Sequence, residues 1–395
     1  MKALVPAGRV RGLSLIELMI AMLIGTLLMV GIIQVFGSSR EAYRLSEGLA
    51  RVQENSRFAV DYLQRDIRMA GHFGCVNDQA MMRQNPVALT TTFGAAAHPA
   101  LDFGISIQGY EAADTGPGAA DVSLTAGDVD FSPALPDEYA DQMDDAVAGS
   151  DVIVLRFLDP NGVPMTAAPA DPANPVFQFD SARWSVLQSG VDNPGLFGAA
   201  DCTGAVVFQA SAVNSGAGTI SVTGAPNNAE AIAKVFTAGQ TTLYRAESAV
   251  YYVGTNAAGG RSLYRLRFAY APNAAAPTVR KEEMVDGVEN MQLLYGQDRE
   301  LDPGKSPTGY IDRQYTADEI ESTRAGAATV ADAWRRVGAV QIGLVMSSPE
   351  RASSVQASDE HRLNALGVTF AAPEDRRFRS VYQTTIALRN RLYGN

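Results

Sequence analysis

The sequence predicts an α+β fold in which one long N-terminal helix is laid across an antiparallel β-sheet. Three observations carry that expectation. No proline interrupts residues 13–70, apolar residues recur at three- to four-residue steps in the second half of that stretch, and two segments near the C-terminus alternate apolar with polar residues. An apolar helix stripe and an apolar strand face each need a cover, and here each supplies the other's.

The first element is an apolar run, residues 13–36, whose only charged side chain is Glu17. It is long enough to span a bilayer, where a carboxylate costs roughly 2.5–3.5 kcal/mol and so requires a partner or a role. Lys2, Arg9 and Arg11 precede it. An ordinary secretory signal would end its apolar core at a small-residue site such as Gly37-Ser38-Ser39, but the run is too long for one and contains Glu17. A plain transmembrane anchor fits the length, with the basic leader kept inside, and leaves Glu17 unexplained.

Residues 37–70 continue as an amphipathic helix. Leu45, Leu49, Val52, Ser56, Ala59, Leu63 and Ile67 form its expected buried stripe. The other positions carry both signs of charge, with Glu47 and Arg51, and Asp61 and Arg65, in the favourable acid-first i,i+4 order. Gly71 stops the helix, and His72 is expected to cap that end or face its dipole. A helix over residues 13–70 would be on the order of 85 Å long at 1.5 Å per residue.

Strand patterns follow. Residues 151–157 are a short apolar run, and residues 249–253 and 263–268 read as a hairpin with alternating faces. Thr316 and Glu319 form a capping box that opens a short helix. Val340, Ile342, Leu344 and Met346 alternate with Gln341, Gly343 and Val345; Tyr382, Thr384, Ile386 and Leu388 repeat the pattern. Residues 210–224, rich in Ala, Gly and Ser, read as loops or extra small strands. No internal repeat is present.

The chain holds 32 basic and 43 acidic side chains, a net charge of −11. The imbalance is local, since residues 71–150 contain twelve acidic side chains and one basic, Arg83. Nucleic acid is excluded as a partner, because a phosphate backbone requires a basic surface. The acidic insert at 76–150 is expected to be solvated loops. No nucleophile elbow, P-loop or His-Glu-x-x-His pattern occurs, and His98 and His361 stand in polar surroundings without a motif. Asp298, Glu300 and Asp302 alternate like calcium ligands, but Pro303 stands where that loop needs glycine and Gly309 where it needs glutamate. An acidic turn is expected there, with no metal and no cofactor.

Gly12-Leu13-Ser14-Leu15-Ile16-Glu17, behind the basic leader, resembles the class III signal of type IV prepilins and type II secretion pseudopilins. The resemblance implies that a prepilin peptidase cuts between Gly12 and Leu13 and methylates the new amino terminus of Leu13, where most relatives have Phe or Met. It places Glu17 at the position that meets the amino terminus of a neighbouring subunit during assembly. Residues 54–60, 63–71 and 73–75 are similar to the PilW group of minor pilins, as are 285–296, Trp334-Arg335-Arg336-Val337 and the ending 378–391, which J-type pseudopilins share.

A pilin-like organisation is then expected: a leader at 1–12, a membrane and filament-core half of the helix at 13–36, an amphipathic half at 37–70, and a β-rich periplasmic domain at 71–395. The implied function is a non-enzymatic minor pilin that primes type IV pilus assembly and stays near the tip. Its implied partners are other minor pilins, the major pilin, a tip adhesin, the prepilin peptidase and the inner-membrane assembly platform of a Gram-negative bacterium. A J-type pseudopilin and a membrane-anchored periplasmic enzyme or binding protein are the alternatives. Two cysteines in an exported chain are most simply one disulfide, Cys75 to Cys202, with two free thiols as the alternative.

Overall fold

The computed structural model describes residues 14–77, 89–94, 97–125, 127–302, 304–322, 329–352, 363–388 and 391. One α-helix, Leu15–Met69, runs unbroken from the apolar segment into the amphipathic one. Its buried line is Gly48, Val52, Ser56, Ala59, Leu63 and Ile67. Leu45 and Leu49 do not belong to it: they are 43% and 38% exposed. The reason is Gly48, where a Cβ would stand 3.1 Å from that of Ala352 and 3.4 Å from that of Ser348. The sheet reaches the helix backbone there, and Leu45 and Leu49 lie about 60° and 100° round the cylinder from the contact.

Four antiparallel strands form a tail sheet in the order Ile311–Tyr315, Val288–Asp298, Val337–Arg351, Arg377–Ala387. The helix packs mainly on the last two. Val340, Ile342, Leu344 and Met346 are fully buried in one core with Val52, Ala59, Leu63, Ile67, Ile386 and Leu388. This is the face the alternation predicts. The opposite face of the same strand is not simply polar, because Val345 packs in a second small core with Leu124, Ala365, Val368 and Phe370.

A middle sheet of 13 strands branches around Thr242–Thr255. The first residues of this strand pair with Val163–Ala167 and Leu196–Asp201; the later ones pair with Val152–Leu158 and Arg261–Ala269. The expected hairpin is therefore present, with Tyr251 opposite Arg265. Ala212–Asn214 and Thr219–Ser221 form the extra small strands.

Three expectations change. The sheets are not wholly antiparallel, since Gly204–Gln209 pairs in parallel with Leu89–Thr91, and Val368–Ala371 with Val122–Ser123. Nor is the acidic insert only solvated loops. Its strand Ile107–Ala112 is buried in the middle sheet, and Leu101, Phe103, Tyr110 and Tyr139 are core residues. Most of its carboxylates do face solvent, among them Asp114, Asp121, Asp128 and Asp137. The apolar residues between those charges supply the core, which net charge alone could not reveal. His72 does not cap the helix; it lies in the strand His72–Phe73, its ring edge-on to Tyr244 at 6.0 Å.

Candidate assembly site

The helix begins with a reciprocal cap. Ser14 Oγ accepts from the Glu17 amide at 3.1 Å, and Glu17 Oε2 accepts from the Ser14 amide at 3.0 Å. Two of the four N–H groups that a helix start leaves unsatisfied are thus closed by side chains. Ser14-Leu15-Ile16-Glu17 spells this box in the sequence, a Ser and a Glu three residues apart at the start of an apolar run. Glu17 is exposed, its carboxylate turned back toward the chain's start. Gly12 and Leu13 lie outside the described residues.

From Leu15 to Phe36 the helix is apolar on all sides and every large apolar side chain is more than half exposed. This segment is long and apolar enough to cross a membrane, and none of it is buried against the protein. A helix apolar all round is stable in lipid or among other helices, not in water.

The second half is held by its own domain. Asp66, which falls outside the expected buried stripe, accepts from the Tyr251 hydroxyl at 2.6 Å and pairs with Arg265 at 3.3 Å. Arg265 also grips Glu282 at 2.6 Å, so the helix is tied to two strands of the middle sheet through one guanidinium. Glu47 and Arg51 lie 3.9 Å apart on the exposed side, in the spacing expected of them. Cys75 and Cys202 are joined, with their Cα atoms 4.8 Å apart, tying the chain just past the helix to the Leu196–Asp201 hairpin.

The segments resembling PilW prove to be architectural. Gly287 sits at φ +81° where the chain crosses from the middle sheet to the tail sheet, and a Cβ there would meet the Ser347 carbonyl oxygen at 2.6 Å. Only glycine fits both demands. Asn55 of the helix donates to the Asp286 carbonyl beside it at 3.0 Å. Trp334 is fully buried, edge-on to Tyr295 at 4.9 Å, and donates to Glu321. Arg391 closes the end by donating to the carbonyls of Trp334 and Val337 and to the Ser106 hydroxyl.

Two buried carboxylates escaped the sequence reading. Asp151 accepts from the amides of Ala112 at 2.9 Å and Leu293 at 2.7 Å, fastening the middle sheet to the tail sheet. Beside it Glu111 has one carboxylate oxygen without a partner. Burial and the neighbouring Asp151 push the Glu111 carboxyl up to about 10. Asp151 is also raised by burial, against two amides that favour its charged form, so Glu111 is the partner that carries the proton. Nothing in a single sequence marks such a pair, because it is made by strands far apart in the chain.

Sites for other chemistry take ordinary structural roles. Asp298 spends both oxygens on the amides of Glu300, Thr308 and Gly309 and on the Thr308 hydroxyl, while Lys305 pairs with Glu300 and Asp302. That is an acidic turn with its own cation. His98 caps the turn Pro99–Leu101 among Tyr139, Phe268 and Tyr270 rather than standing in polar surroundings, and burial lowers its pKa. His361 lies outside the described residues. A cavity of about 660 Å³ beside His98 is also lined by Arg156, whose two terminal nitrogens donate to the carbonyls of Ile105 and Pro99 and to the Tyr139 hydroxyl, while its buried Nε has no partner among the described residues. Among the described residues no group of three or more His, Cys, Asp and Glu could hold a metal.

Residues 8–33 match the family model described as the prokaryotic N-terminal methylation motif, which with the apolar helix fits membrane anchoring in a bacterium. Residues 250–390, from the middle of the long central strand through the tail sheet, match the model described as Type IV Pilus-assembly protein W. The two matches support a PilW-like type IV pilin with a prepilin signal, that is, a type IV pilus minor pilin and structural component. No curated protein and no solved structure matches it.

Proposed function

We propose that this chain is a non-catalytic minor pilin that primes type IV pilus assembly and remains at or near the tip. The leader 1–12 is removed between Gly12 and Leu13 by the prepilin peptidase, and Leu13 is N-methylated. Residues 13–36 lie first in the inner membrane and then in the filament core, residues 37–70 form the stalk, and residues 71–395 stand in the periplasm. Other minor pilins, the major pilin, a tip adhesin and the inner-membrane assembly platform are its partners.

The observation that carries this reading is one unbroken helix with unlike halves. Its second half is satisfied by the chain's own tail sheet, while its first half is apolar all round and carries a single carboxylate. In lipid, Glu17 is stabilised by the charged amino terminus of a neighbouring subunit, and the pair fixes the helix register between them. Glu17→Ala tests this. Cleavage and membrane insertion should persist, since the change removes the costly charge, and pilus initiation should fail at matched protein levels. Wild-type piliation by Glu17→Ala, in cells without a paralogue, would show that assembly does not use this carboxylate.

A further inference from the structure

A free sheet edge is a row of unpaired N–H and C=O groups that another strand can complete. Two margins here are guarded. Thr278–Asp286 of the middle sheet carries Arg280, Lys281, Glu282 and Glu283 in succession, and Ile311–Tyr315 of the tail sheet is only five residues long and carries Arg313. The opposite margin of the tail sheet, Arg377–Ala387, pairs only with Val337–Arg351 among the described residues. From Ser380 to Leu388 it contains no charge, no proline and no glycine.

The outward groups of this strand follow from the ladder. The Leu388 amide donates to the Gly338 carbonyl, and bonded pairs alternate with non-bonded ones along an antiparallel ladder. Pairs Ile386 with Val340, Thr384 with Ile342 and Tyr382 with Leu344 therefore exchange the inward bonds. The amides and carbonyls of Val381, Gln383 and Thr385 point away from the sheet, and no hydrogen bond reaches them from that side among the described residues. The side chains of Gln383 and Thr385 are exposed, while Ile386 lies in the core under the helix.

We propose that residues 381–385 receive an edge strand from a second, different β-rich pilin subunit, which extends the tail sheet beside the long helix. The strand runs against the helix that enters the filament, so the added strand continues the assembly surface. Its own lack of charge selects an uncharged partner strand, because a buried unpaired charge would oppose pairing. An antiparallel pair of two copies fits poorly: the two-fold that joins identical edges reverses one long helix, which a single membrane does not allow. The class of partner rests on the pilin reading above; the open edge does not.

The test uses the full chain, solubilised in detergent from cells that carry their own pilus genes. Gln383→Pro removes one outward N–H and no inward backbone bond, and Gln383→Lys with Thr385→Lys guards the edge with charge while keeping the backbone intact; both also lose the Gln383 side-chain bond to the Asn364 carbonyl at 3.1 Å, a loss that Gln383→Ala shares and so controls for. Wild type should retain a different pilin-type subunit, identified by mass, with amide exchange at Val381, Gln383 and Thr385 slowed roughly tenfold relative to the chain alone. Each variant should lower that recovery roughly tenfold, with Gln383→Ala and the melting temperature unaffected. Wild-type recovery by the Lys pair, or unprotected amides in the complex, would overturn the edge as the docking site. Recovery of second copies alone would overturn the choice of partner, and recovery of no pilin-type subunit by wild type would overturn the pilus reading from which that choice comes.

Discussion

The two halves of the long helix share a backbone and differ in what satisfies them. Between Leu15 and Phe36 no face is chosen, and every large apolar side chain is left open. Between Gly48 and Ile67 a single line is sealed under the tail sheet, and Asp66 adds a polar tie to the middle sheet. An amphipathic helix can be completed by its own domain, whereas a uniformly apolar one requires lipid or other helices. The difference separates what holds this chain together from what joins it to others.

Substitutions that act on one half alone sharpen this contrast. The largest expected effect is at Cys75 and Cys202, which are 127 residues apart. Closing a loop of that length stabilises by up to about 5 kcal/mol in the chain-entropy model. Cys202→Ala should lower the melting temperature of the β-rich domain and free the end of the buried half, without changing insertion of the apolar half. Thermal unfolding of the full chain under oxidising conditions measures this, and unchanged melting would mean the link contributes nothing to the helix's seat.

Leu63 and Leu27 make the direct comparison. Leu63 is fully buried and Leu27 is 66% exposed, on the same helix. Leu63→Ala should destabilise the domain by about 2–5 kcal/mol, in the range of buried Leu→Ala changes. Leu27→Ala should leave domain melting where it was. Equal losses from both would break the distinction between the halves.

Much of this was legible in the sequence, for a physical reason. Periodicity reports burial along one element, so the helix, the apolar face of Val340 to Met346 and the hairpin around Tyr251 were read from spacing alone. Glu17 was legible because a lone charge in an apolar run is costly wherever the run goes. What failed depends on contacts between distant segments. Leu45 and Leu49 keep the right spacing but lose their cover because Ser348 and Ala352 approach at Gly48. Asp66 reads as one more surface acid until Tyr251 and Arg265 are brought to it. The core residues of the acidic insert were hidden by its charge, since composition averages over residues that a strand separates into inside and outside.

The contrast extends to two carboxylates in apolar settings. Glu17 stands outside the fold, and among the described residues its carboxylate is hydrogen-bonded only to its own cap. Glu111 stands inside, and the fold meets the difficulty by keeping it protonated. Unfolded, it would ionise near its ordinary 4.5; folded, it holds its proton to about 10. Between those values unfolding releases a proton, so the stability of the native domain falls as pH rises through that window. Asp151 acts in the same direction, and more weakly because two amides favour its charged form. Glu111→Gln keeps the shape, cannot ionise and should flatten the decline in melting temperature between about pH 6 and 9. A wild-type slope in this variant would place the titration elsewhere. Glu17→Ala belongs to the other side of the comparison: under the assembly role proposed for it, its effect should be read in assembly and not in melting, because no core packing or tie to the sheets depends on this exposed side chain.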